Sequence, residues 1–308
     1  MLYPLPLKRG DRICVIDPAN AFTEEGKRAA RVFFEQQGFQ VTFSEEMAFK
    51  RGTKEQRAER LNRVIRDAGN RGIFCMWGGY GSMTLLDAID YQALKRNRPV
   101  FSGFSDITAM HLAIEKETGL VTFHGPSLHS EKNPSTEQAL AGLVEAAMHP
   151  QGKRELTNLD GSSLEILRGG ACRGTLTGGN LTLVCRLMGT PYEIDTRGKI
   201  LFLEEIGEKP YRIHGMLTQL KMAGKFEAAA GVVLGALTGC DDAGRPGSGL
   251  EAAQDVLQDL KCPVICGLKA GHIRDSLTLP LHGMAEIREG HLYTGCEGTA
   301  YAGWKEPL

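Results

Sequence analysis

The sequence predicts an α/β protein, with an N-terminal parallel-sheet domain of the flavodoxin or Rossmann type and a mixed α/β C-terminal domain. In the first half of the chain, short apolar runs alternate with amphipathic helical patterns, which is typical of a parallel sheet covered by helices. The chain has 308 residues, more than one compact core usually organises. We therefore expect a domain at residues 1–130, a connecting segment at 131–168 and a second domain at 169–308.

The predicted elements of the first half follow one another in a regular order. Thr23 is suited to cap the first helix and Gly38 to form its C-terminal turn. The strands and helices, in chain order, are expected at "RICVID", "TEEGKRAARVFFEQQG", "FQVTFS", "KEQRAERLNRVIRDAGN", "GIFCMW", "PVFSGFSDITAMHLAIEKETG" (a strand, a loop and a helix) and "LVTFHGP".

The second half gives a less regular pattern. Polar and proline-containing surroundings at 131–168 interrupt the alternation and favour a connection between domains. Beyond them, "KILFLEE", "AAGVVLGALTG" and "CPVICGL" read as strands, and one amphipathic helix has apolar residues at helical spacing: Ile213, Met216, Leu217 and Leu220.

Composition and charge narrow the class of function. The 36 basic and 37 acidic side chains give a formal net charge of −1, with no long block of like charge that would bind nucleic acid or an anionic membrane. The N-terminus has prolines and charges where a signal peptide needs an apolar stretch, and no later run has the length of a membrane span. We expect a cytoplasmic protein that acts on small molecules or peptides.

The eight cysteines do not predict a metal site. They are spread along the chain without the paired Cys-x-x-Cys spacing of a zinc site, and several lie inside apolar runs. Buried free thiols are the expectation.

Ser82 in "MWGGYGSMTLLDAI" draws attention because an apolar run and a glycine turn precede it and a helix-like stretch follows it. The segment lacks the lysine of a phosphate loop and the last glycine of a dinucleotide fingerprint. Two readings remain for Ser82, a helix N-cap and a nucleophile held at the edge of the sheet.

A serine nucleophile needs a general base and a carboxylate that orients the base. His272 follows a glycine after the predicted strand "PVICGL", and Glu204 ends the apolar run of "KILFLEE", so that both lie where a strand gives way to a loop. Each has an ordinary structural alternative. Glu205 points to the opposite side of the strand from Glu204, and the spacing does not choose between the two.

With these residues in place, the chain resembles the LD-carboxypeptidases and microcin-immunity hydrolases, serine peptidases with a Ser-Glu-His triad. The resemblance extends over nearly the whole chain. It is carried by six motifs in the order of the family: "WGGYGSMTLL", "FSGFSDITAMHLA", "TFHGP", "LTGGNLTLV", "ILFLEEIGEKPYRIHGMLTQL" and "GHIRDSLTLPLHG".

The resemblance implies that Ser82 is the nucleophile, His272 the general base and acid, and Glu204 the partner that orients His272. It implies release of terminal D-alanine from the cytosolic murein tetrapeptide in cell-wall recycling, by a homodimer with no metal or organic cofactor. On this assignment, the backbone N–H groups of Met83 and Gly79 are expected to form the oxyanion hole.

Further residues are candidates for substrate binding. Asn180 could contact the substrate or cap a helix, and Asp106 is expected to serve as a cap or a hydrogen-bond acceptor. A carboxypeptidase must also recognise a free carboxylate, for which an arginine is suited. Arg212 and Arg274 lie near the triad in sequence, with surface solvation as the alternative.

Two competing functions remain open. A microcin-immunity-like hydrolase, cleaving the aminoacyl-nucleotide bond of a toxic peptide-nucleotide, would need an aromatic platform for the base. The chain has only two tryptophans, of which Trp77 is expected to be buried and Trp304 is close to the C-terminus, and this favours the murein substrate. The other competitor is a non-catalytic module that binds murein peptides.

Overall fold

The computed structural model describes residues 1–129 and 134–295. The strands are β1 Arg12–Ile16, β2 Gln40–Phe43, β3 Asn70–Cys75, β4 Val100–Gly103, β5 Thr122–His124, β6 Arg154–Glu155, β7 Glu165–Arg168, β8 Cys172–Asn180, β9 Ile200–Ile206, β10 Gly231–Thr238, β11 Val264–Cys266, β12 Leu279–Leu281, β13 Met284–Arg288 and β14 His291–Thr294. The α-helices are α1 Glu24–Gln36, α2 Lys54–Arg66, α3 Tyr91–Asn97, α4 Thr108–Thr118, α5 Glu137–Met148, α6 Leu181–Arg186, α7 Pro210–Met222, α8 Lys225–Ala228 and α9 Ser248–Leu257. Short 3₁₀ segments span Ser82–Ala88 and Ser105–Ile107.

The first sheet has the strand order β12-β5-β4-β3-β1-β2. Strands β1 to β5 run parallel, in the order typical of flavodoxin-like folds, and β12 adds an antiparallel edge strand. The apolar runs of β1, β3 and β4 are almost wholly buried, as expected for strands covered by helices on both faces. The predicted α/β class is thereby confirmed for this half.

Local sequence explains where the first helices begin. The Thr23 side chain accepts a hydrogen bond from the Gly26 N–H at the start of α1, as predicted. Thr53 and Gln56 form a reciprocal capping box at the start of α2. Gly38, with φ of +88°, terminates the turn after α1, where a residue with a side chain would be strained.

The second sheet is mixed, with the strand order β6-β14-β13-β8-β9-β10-β11-β7. Strands β8 to β11 are parallel to one another. β7 pairs antiparallel with β11 at one edge, and β13, β14 and β6 pair antiparallel beyond β8 at the other. This is the mixed α/β architecture that the sequence predicts for the second half.

Residues 134–168 pack on the first half of the chain and add two strands to the second sheet. Helix α5 buries Leu143 and Val144 in the apolar cluster that contains Phe34 and Phe123 of the first half. Strands β6 and β7 extend the second sheet at its two edges. In return, β12 comes from the second half and joins the first sheet, so the two layers are interlinked along the chain.

Helix α4 lies between the two sheets and contacts both. The Thr108 hydroxyl, at its N-terminus, accepts a hydrogen bond from the backbone N–H of Asn180 at the end of β8. Near its C-terminus, buried Glu115 accepts from the Thr177 hydroxyl and pairs with Lys199. Because α4 begins beside the carboxyl end of β4, these contacts fix that edge of the first sheet against the second.

The described cysteines are all free. Four are buried (Cys14, Cys75, Cys240 and Cys266) and three are partly buried (Cys172, Cys185 and Cys262). Burial raises the pKa of the Cys14 thiol to about 11, which keeps it protonated and unreactive near neutral pH. Cys296 and Trp304 lie outside the described residues.

Among the described residues, no helix has both the length and the apolar character needed to cross a membrane. Nor do three or more His, Cys, Asp or Glu side chains of residues 1–129 and 134–295 gather as a metal site would require.

Candidate active site

A cavity of about 440 Å³ opens where the carboxyl ends of β1, β3, β4 and β5 meet the loop after β11. Ligands of open α/β sheets bind at this edge, because the loops that follow the parallel strands converge there. The lining residues are Asn20, Trp77, Gly78, Gly79, Phe104, Ser105, Ser127, His129, Ser135, Ile206, Gly271, His272 and Ile273.

Ser105 sits on a sharp turn between β4 and the helical segment that leads into α4. Its backbone φ is +60°, in the left-handed region that non-glycine residues seldom adopt. Such a conformation costs of the order of 1–3 kcal/mol and is concentrated at functional sites. A strand, a strained serine and a helix in succession form a nucleophile elbow, which presents the hydroxyl above the edge of the sheet.

The Ser105 hydroxyl lies 2.9 Å from Nε2 of His272, and Nδ1 of His272 lies 2.8 Å from Oε2 of Glu204. The Glu204 side chain is fully buried, whereas 12% of the surface of the His272 side chain is exposed. The carboxylate at Nδ1 favours the tautomer that carries its proton there and leaves Nε2 free to accept the serine proton. The three side chains therefore form a connected hydroxyl, imidazole and carboxylate series, the arrangement that a serine nucleophile requires.

The backbone of the second sheet allows this close approach. Gly271, with φ of +122°, precedes His272, and a Cβ at this position would lie 2.5 Å from Glu204 Oε2. The Gly271 N–H donates to the buried Ser276 hydroxyl, which holds the loop after β11 in place. From the first sheet, the ring of Phe104, which follows β4, packs against the imidazole of His272 with 5.0 Å between the ring centroids.

Burial keeps a second histidine near the site uncharged. His124, at the end of β5, is fully buried, and burial lowers its pKa well below the ordinary value, so its ring is neutral. Its neutral ring places no positive charge beside His272. Oε1 of Glu204 has no hydrogen-bond partner among the described residues.

The structure does not bring Ser82 to His272, and its assignment as the nucleophile is wrong. Ser82 is fully buried, its hydroxyl donates to the Asp106 carbonyl at 2.6 Å, and its N–H donates to the Asp106 carboxylate at 2.8 Å. The cause is its position three residues beyond the glycine turn, inside the 3₁₀ segment, where its side chain turns into the protein. Ser105 occupies the position predicted for Ser82.

The predicted oxyanion hole changes with the nucleophile. Met83 is part of the same 3₁₀ segment, packs against the apolar core and is not one of the residues that line the cavity. Gly79 does line the cavity, with φ of +137°. The residue that follows Ser105 is Asp106, whose carboxylate accepts a hydrogen bond as predicted.

Asn180 and Glu205 form a pair that faces away from His272. The Asn180 carbonyl oxygen caps α6 by accepting from the Leu183 N–H, and its amide donates to Oε1 of Glu205. Oε2 of Glu205 accepts from the Thr182 N–H. The structure therefore supports the helix-cap alternative for Asn180 over substrate contact, and it selects Glu204 as the partner of His272.

The two arginines proposed to bind the substrate carboxylate point elsewhere. Arg212 is exposed on α7, where it contacts the Tyr211 hydroxyl and Glu208. Arg274 is exposed and donates to the Pro134 carbonyl. Proximity in sequence to the triad misled the prediction, because α7 and the loop after β11 direct these side chains outward.

Trp77 lines the cavity, contrary to the expectation that it is buried. Its indole N–H donates to the Asn20 carbonyl at 3.0 Å, and its ring lies 5.9 Å from that of His129. Trp77, Asn20 and His129 thus form an aromatic and polar wall facing Ser105.

Ser105 was missed although a signal was present. The motif "GFSD" places a glycine two residues before the serine, directly after a strand and before a helix, as in the Gly-x-Ser part of a nucleophile elbow. Asn20 and His129 had no comparable signal, since each follows its strand in an irregular loop.

Comparison with protein families gives two matches in chain order. Residues 13–125 match the LD-carboxypeptidase N-terminal domain, and residues 173–287 match the LD-carboxypeptidase C-terminal domain. The "Probable murein peptide carboxypeptidase" of Bacillus subtilis (strain 168) is 35% identical over 296 residues, covering 92% of this chain and 91% of that protein.

Two further relatives share the fold over almost their whole length. The solved structure of muramoyltetrapeptide carboxypeptidase from Oxalobacter formigenes has a TM-score of 0.80 and 26% identity, covering 92% of this chain and 97% of its own. Microcin C7 self-immunity protein MccF of Escherichia coli is 26% identical over 91% of both chains. A solved structure of MccF in an inactive mutant apo state has a TM-score of 0.84, covering 96% of this chain and 98% of its own. With both of its halves matched, the chain belongs to the LD-carboxypeptidase family.

Proposed function

We propose that the chain is a serine-type LD-carboxypeptidase in which Ser105 is the nucleophile, His272 the general base and acid, and Glu204 the carboxylate that orients His272. The observation that carries the proposal is the pair of contacts made by His272, 2.9 Å to the Ser105 hydroxyl and 2.8 Å to Glu204. The strained backbone of Ser105 adds support, because such strain persists mainly at functional sites.

The reaction follows from these positions. Nε2 of His272 takes the hydroxyl proton while Ser105 Oγ bonds to the carbonyl carbon of the scissile amide. The tetrahedral intermediate collapses when the C–N bond breaks and His272 returns the proton to the leaving amine. Water, deprotonated by His272, then hydrolyses the ester to Ser105. Glu204 stabilises the imidazolium that forms in each half of the reaction.

The oxyanion would be bound by backbone N–H groups at the turn. We assign the N–H of Asp106, which follows the nucleophile, and that of Gly79, which lines the cavity on the facing turn. Each such donor typically contributes about a hundredfold to a thousandfold to the rate.

The proposed substrate is a cytosolic murein tetrapeptide, from which the enzyme would release terminal D-alanine for cell-wall recycling. Support comes from the names of two relatives, a probable murein peptide carboxypeptidase and a muramoyltetrapeptide carboxypeptidase. The cavity is also open and bordered by neutral polar side chains such as Asn20, Ser127 and Ser135, which suit a polar peptide.

A second candidate substrate is an aminoacyl-nucleotide conjugate, since MccF is also a relative. The exposure of Trp77 in the cavity, beside His129, favours this candidate because an indole offers a stacking surface for a nucleobase. The expectation that Trp77 is buried was the reason to disfavour such a substrate, and the position of Trp77 in the cavity removes that reason.

The test is mass spectrometry of products after incubation with L-Ala-γ-D-Glu-meso-diaminopimelyl-D-Ala. Free D-alanine and tripeptide should form with the wild type and not with Ser105→Ala. An aminoacyl-sulfamoyl nucleotide in a parallel reaction distinguishes the second candidate. If neither compound is cleaved and a fluorophosphonate leaves Ser105 unlabelled, the protein is a non-catalytic binding module and the proposal is wrong.

A further inference from the structure

Beneath the cavity, Ser82 connects the turn after β3 to the elbow that carries Ser105. Both of its polar groups bond to the same residue, Asp106: the hydroxyl to the carbonyl and the N–H to the carboxylate. Asp106 is the immediate neighbour of Ser105. Ser82 therefore fixes the two turns relative to each other through two short, fully buried hydrogen bonds.

Arg57 of α2 also bonds to the turn after β3. Its guanidinium is buried and donates to the carbonyls of Met47, Pro18 and Gly81 and to the Thr84 hydroxyl, at 2.7–3.2 Å. Its side-chain bonds in the described residues go to these neutral oxygens. Burying its charge is costly, and nearby carboxylates, including that of Asp106, offset part of this cost. The hydrogen bonds of Arg57 join the loops after β1 and β2 to the turn after β3.

The turn held in this way touches the reacting side chain. A Cβ added at Gly78 would lie 2.4 Å from Ser105 Cβ and 2.8 Å from Ser105 Oγ, so the Gly78 backbone is already in contact with the serine. The next residue, Gly79, supplies the second proposed oxyanion donor. A shift of the turn by a few tenths of an ångström would displace both the serine rotamer and that donor.

We propose that Ser82, together with Arg57, is a positioning residue that sets the distance between the Gly78-Gly79 turn and the Ser105 elbow and thereby aligns the oxyanion hole with the nucleophile. The inference rests on the proposed function, because it assigns Ser105 as the nucleophile. It gives the buried serine of "GGYGSMT" a role in turnover without placing it in contact with the substrate.

A positioning role and a purely structural role predict different kinetics. Misplacement of a reacting group by about 1 Å can lower the rate about a hundredfold. If Ser82 positions the turn, Ser82→Ala lowers kcat about 10- to 100-fold and leaves KM within about twofold, because interactions made only in the transition state are lost. If Ser82 only stabilises the fold, the protein that remains folded turns over at the wild-type rate.

The experiment measures kcat, KM, Tm and the rate at which a fluorophosphonate labels Ser105. The matched control is Ser248→Ala, because Ser248 is also buried and accepts a backbone hydrogen bond, from Asp242, but is not one of the residues that line the cavity. We expect slower labelling and turnover in Ser82→Ala, and Ser248→Ala to lose thermal stability alone.

A second variant tests the same inference if Ser82→Ala does not fold. Thr84→Val removes the hydroxyl that joins Arg57 to Gly81 while keeping the shape of the side chain, and it should lower kcat and labelling about 3- to 10-fold. Labelling and turnover within twofold of the wild type in the folded variants would overturn the inference. A wild type that does not label at Ser105 would instead overturn the proposed function on which the inference rests.

Discussion

The Ser105 hydroxyl, carried by the first sheet, meets Nε2 of His272, carried by the loop after the last parallel strand of the second sheet, at 2.9 Å. The two residues are 167 positions apart in the chain. Their contact depends on the packing of the two sheets, which share helix α4. The proposed catalytic site is therefore a product of tertiary packing.

The strain at Ser105 predicts a difference between two inactive variants. Both Ser105→Ala and Ser105→Gly remove the hydroxyl, but only glycine accepts φ of +60° without steric cost. We expect Ser105→Gly to be more stable than Ser105→Ala by about 1 kcal/mol in urea unfolding. At Ser248, the first residue of α9, the same pair should show the opposite order, because glycine is unfavourable in a helix. Equal stability of the two Ser105 variants would contradict the assignment of strain.

The carboxylate of Glu204 should matter for turnover much more than that of its neighbour. Glu204→Gln keeps the shape but disturbs the tautomer of His272, so kcat should fall about 10³- to 10⁴-fold. Glu205→Gln is the matched control, because Glu205 accepts hydrogen bonds from the Asn180 amide and from the N–H groups of Thr182 and Ile206, and makes none with His272 in the described residues. We expect the control to lose stability and to keep kcat within a few-fold of the wild type. Similar kcat losses in both variants would contradict the selection of Glu204.

The close approach of Gly271 to Glu204 predicts that a single methyl group disrupts the site. In Gly271→Ala the new Cβ would lie 2.5 Å from Oε2 of Glu204. We expect at least a hundredfold loss of kcat, since the Glu204–His272 contact must lengthen or rotate. Gly244→Ala is the control: it also has positive φ, but its new Cβ would meet no atom within 4 Å beyond its chain neighbours. It should lose about 1 kcal/mol of stability and no activity.

Much of the fold could be predicted from local patterns. Alternating apolar runs and helices indicated the parallel first sheet, and Thr23 indicated the start of α1, because these signals depend on residues close together in sequence. The contacts that link the two halves of the chain could not be predicted from local patterns. Strand β12 crosses to the first sheet and α5 packs on the first core, and both depend on distant contacts.

The candidate site was predicted in part for the same reason. Glu204 lies near the carboxyl end of β9 and His272 lies in the loop that follows β11, and the carboxyl edge of an α/β sheet is where ligands bind. Ser82 and Ser105 also both follow strands and precede helical turns, so their local patterns are nearly alike. What separates them is orientation: the Ser82 side chain turns toward Asp106, and the Ser105 side chain turns toward His272.

The buried ion pair of Glu115 predicts how stability depends on pH. Burial raises the pKa of the Glu115 carboxyl, but its contacts with His282 and Lys199 outweigh burial and leave the pKa below the ordinary value of 4.5. A carboxyl whose pKa is depressed on folding contributes stability that is fully present above the unfolded-state pKa and is lost as pH falls through the folded-state pKa. The wild type should therefore lose stability as pH falls below about 4.5 toward the lower folded-state pKa.

Glu115→Gln tests this pH dependence. Removing one partner of a buried pair leaves Lys199 without its carboxylate and should cost about 3–5 kcal/mol at pH 7. The difference between wild type and variant, from urea unfolding at pH 3 to 7, should be largest at pH 7 and shrink in acid. The double variant Glu115→Gln/Lys199→Met should recover part of the loss, because no buried charge then remains unpaired. A difference that is constant from pH 7 to pH 3 would contradict the role of the ionised carboxylate.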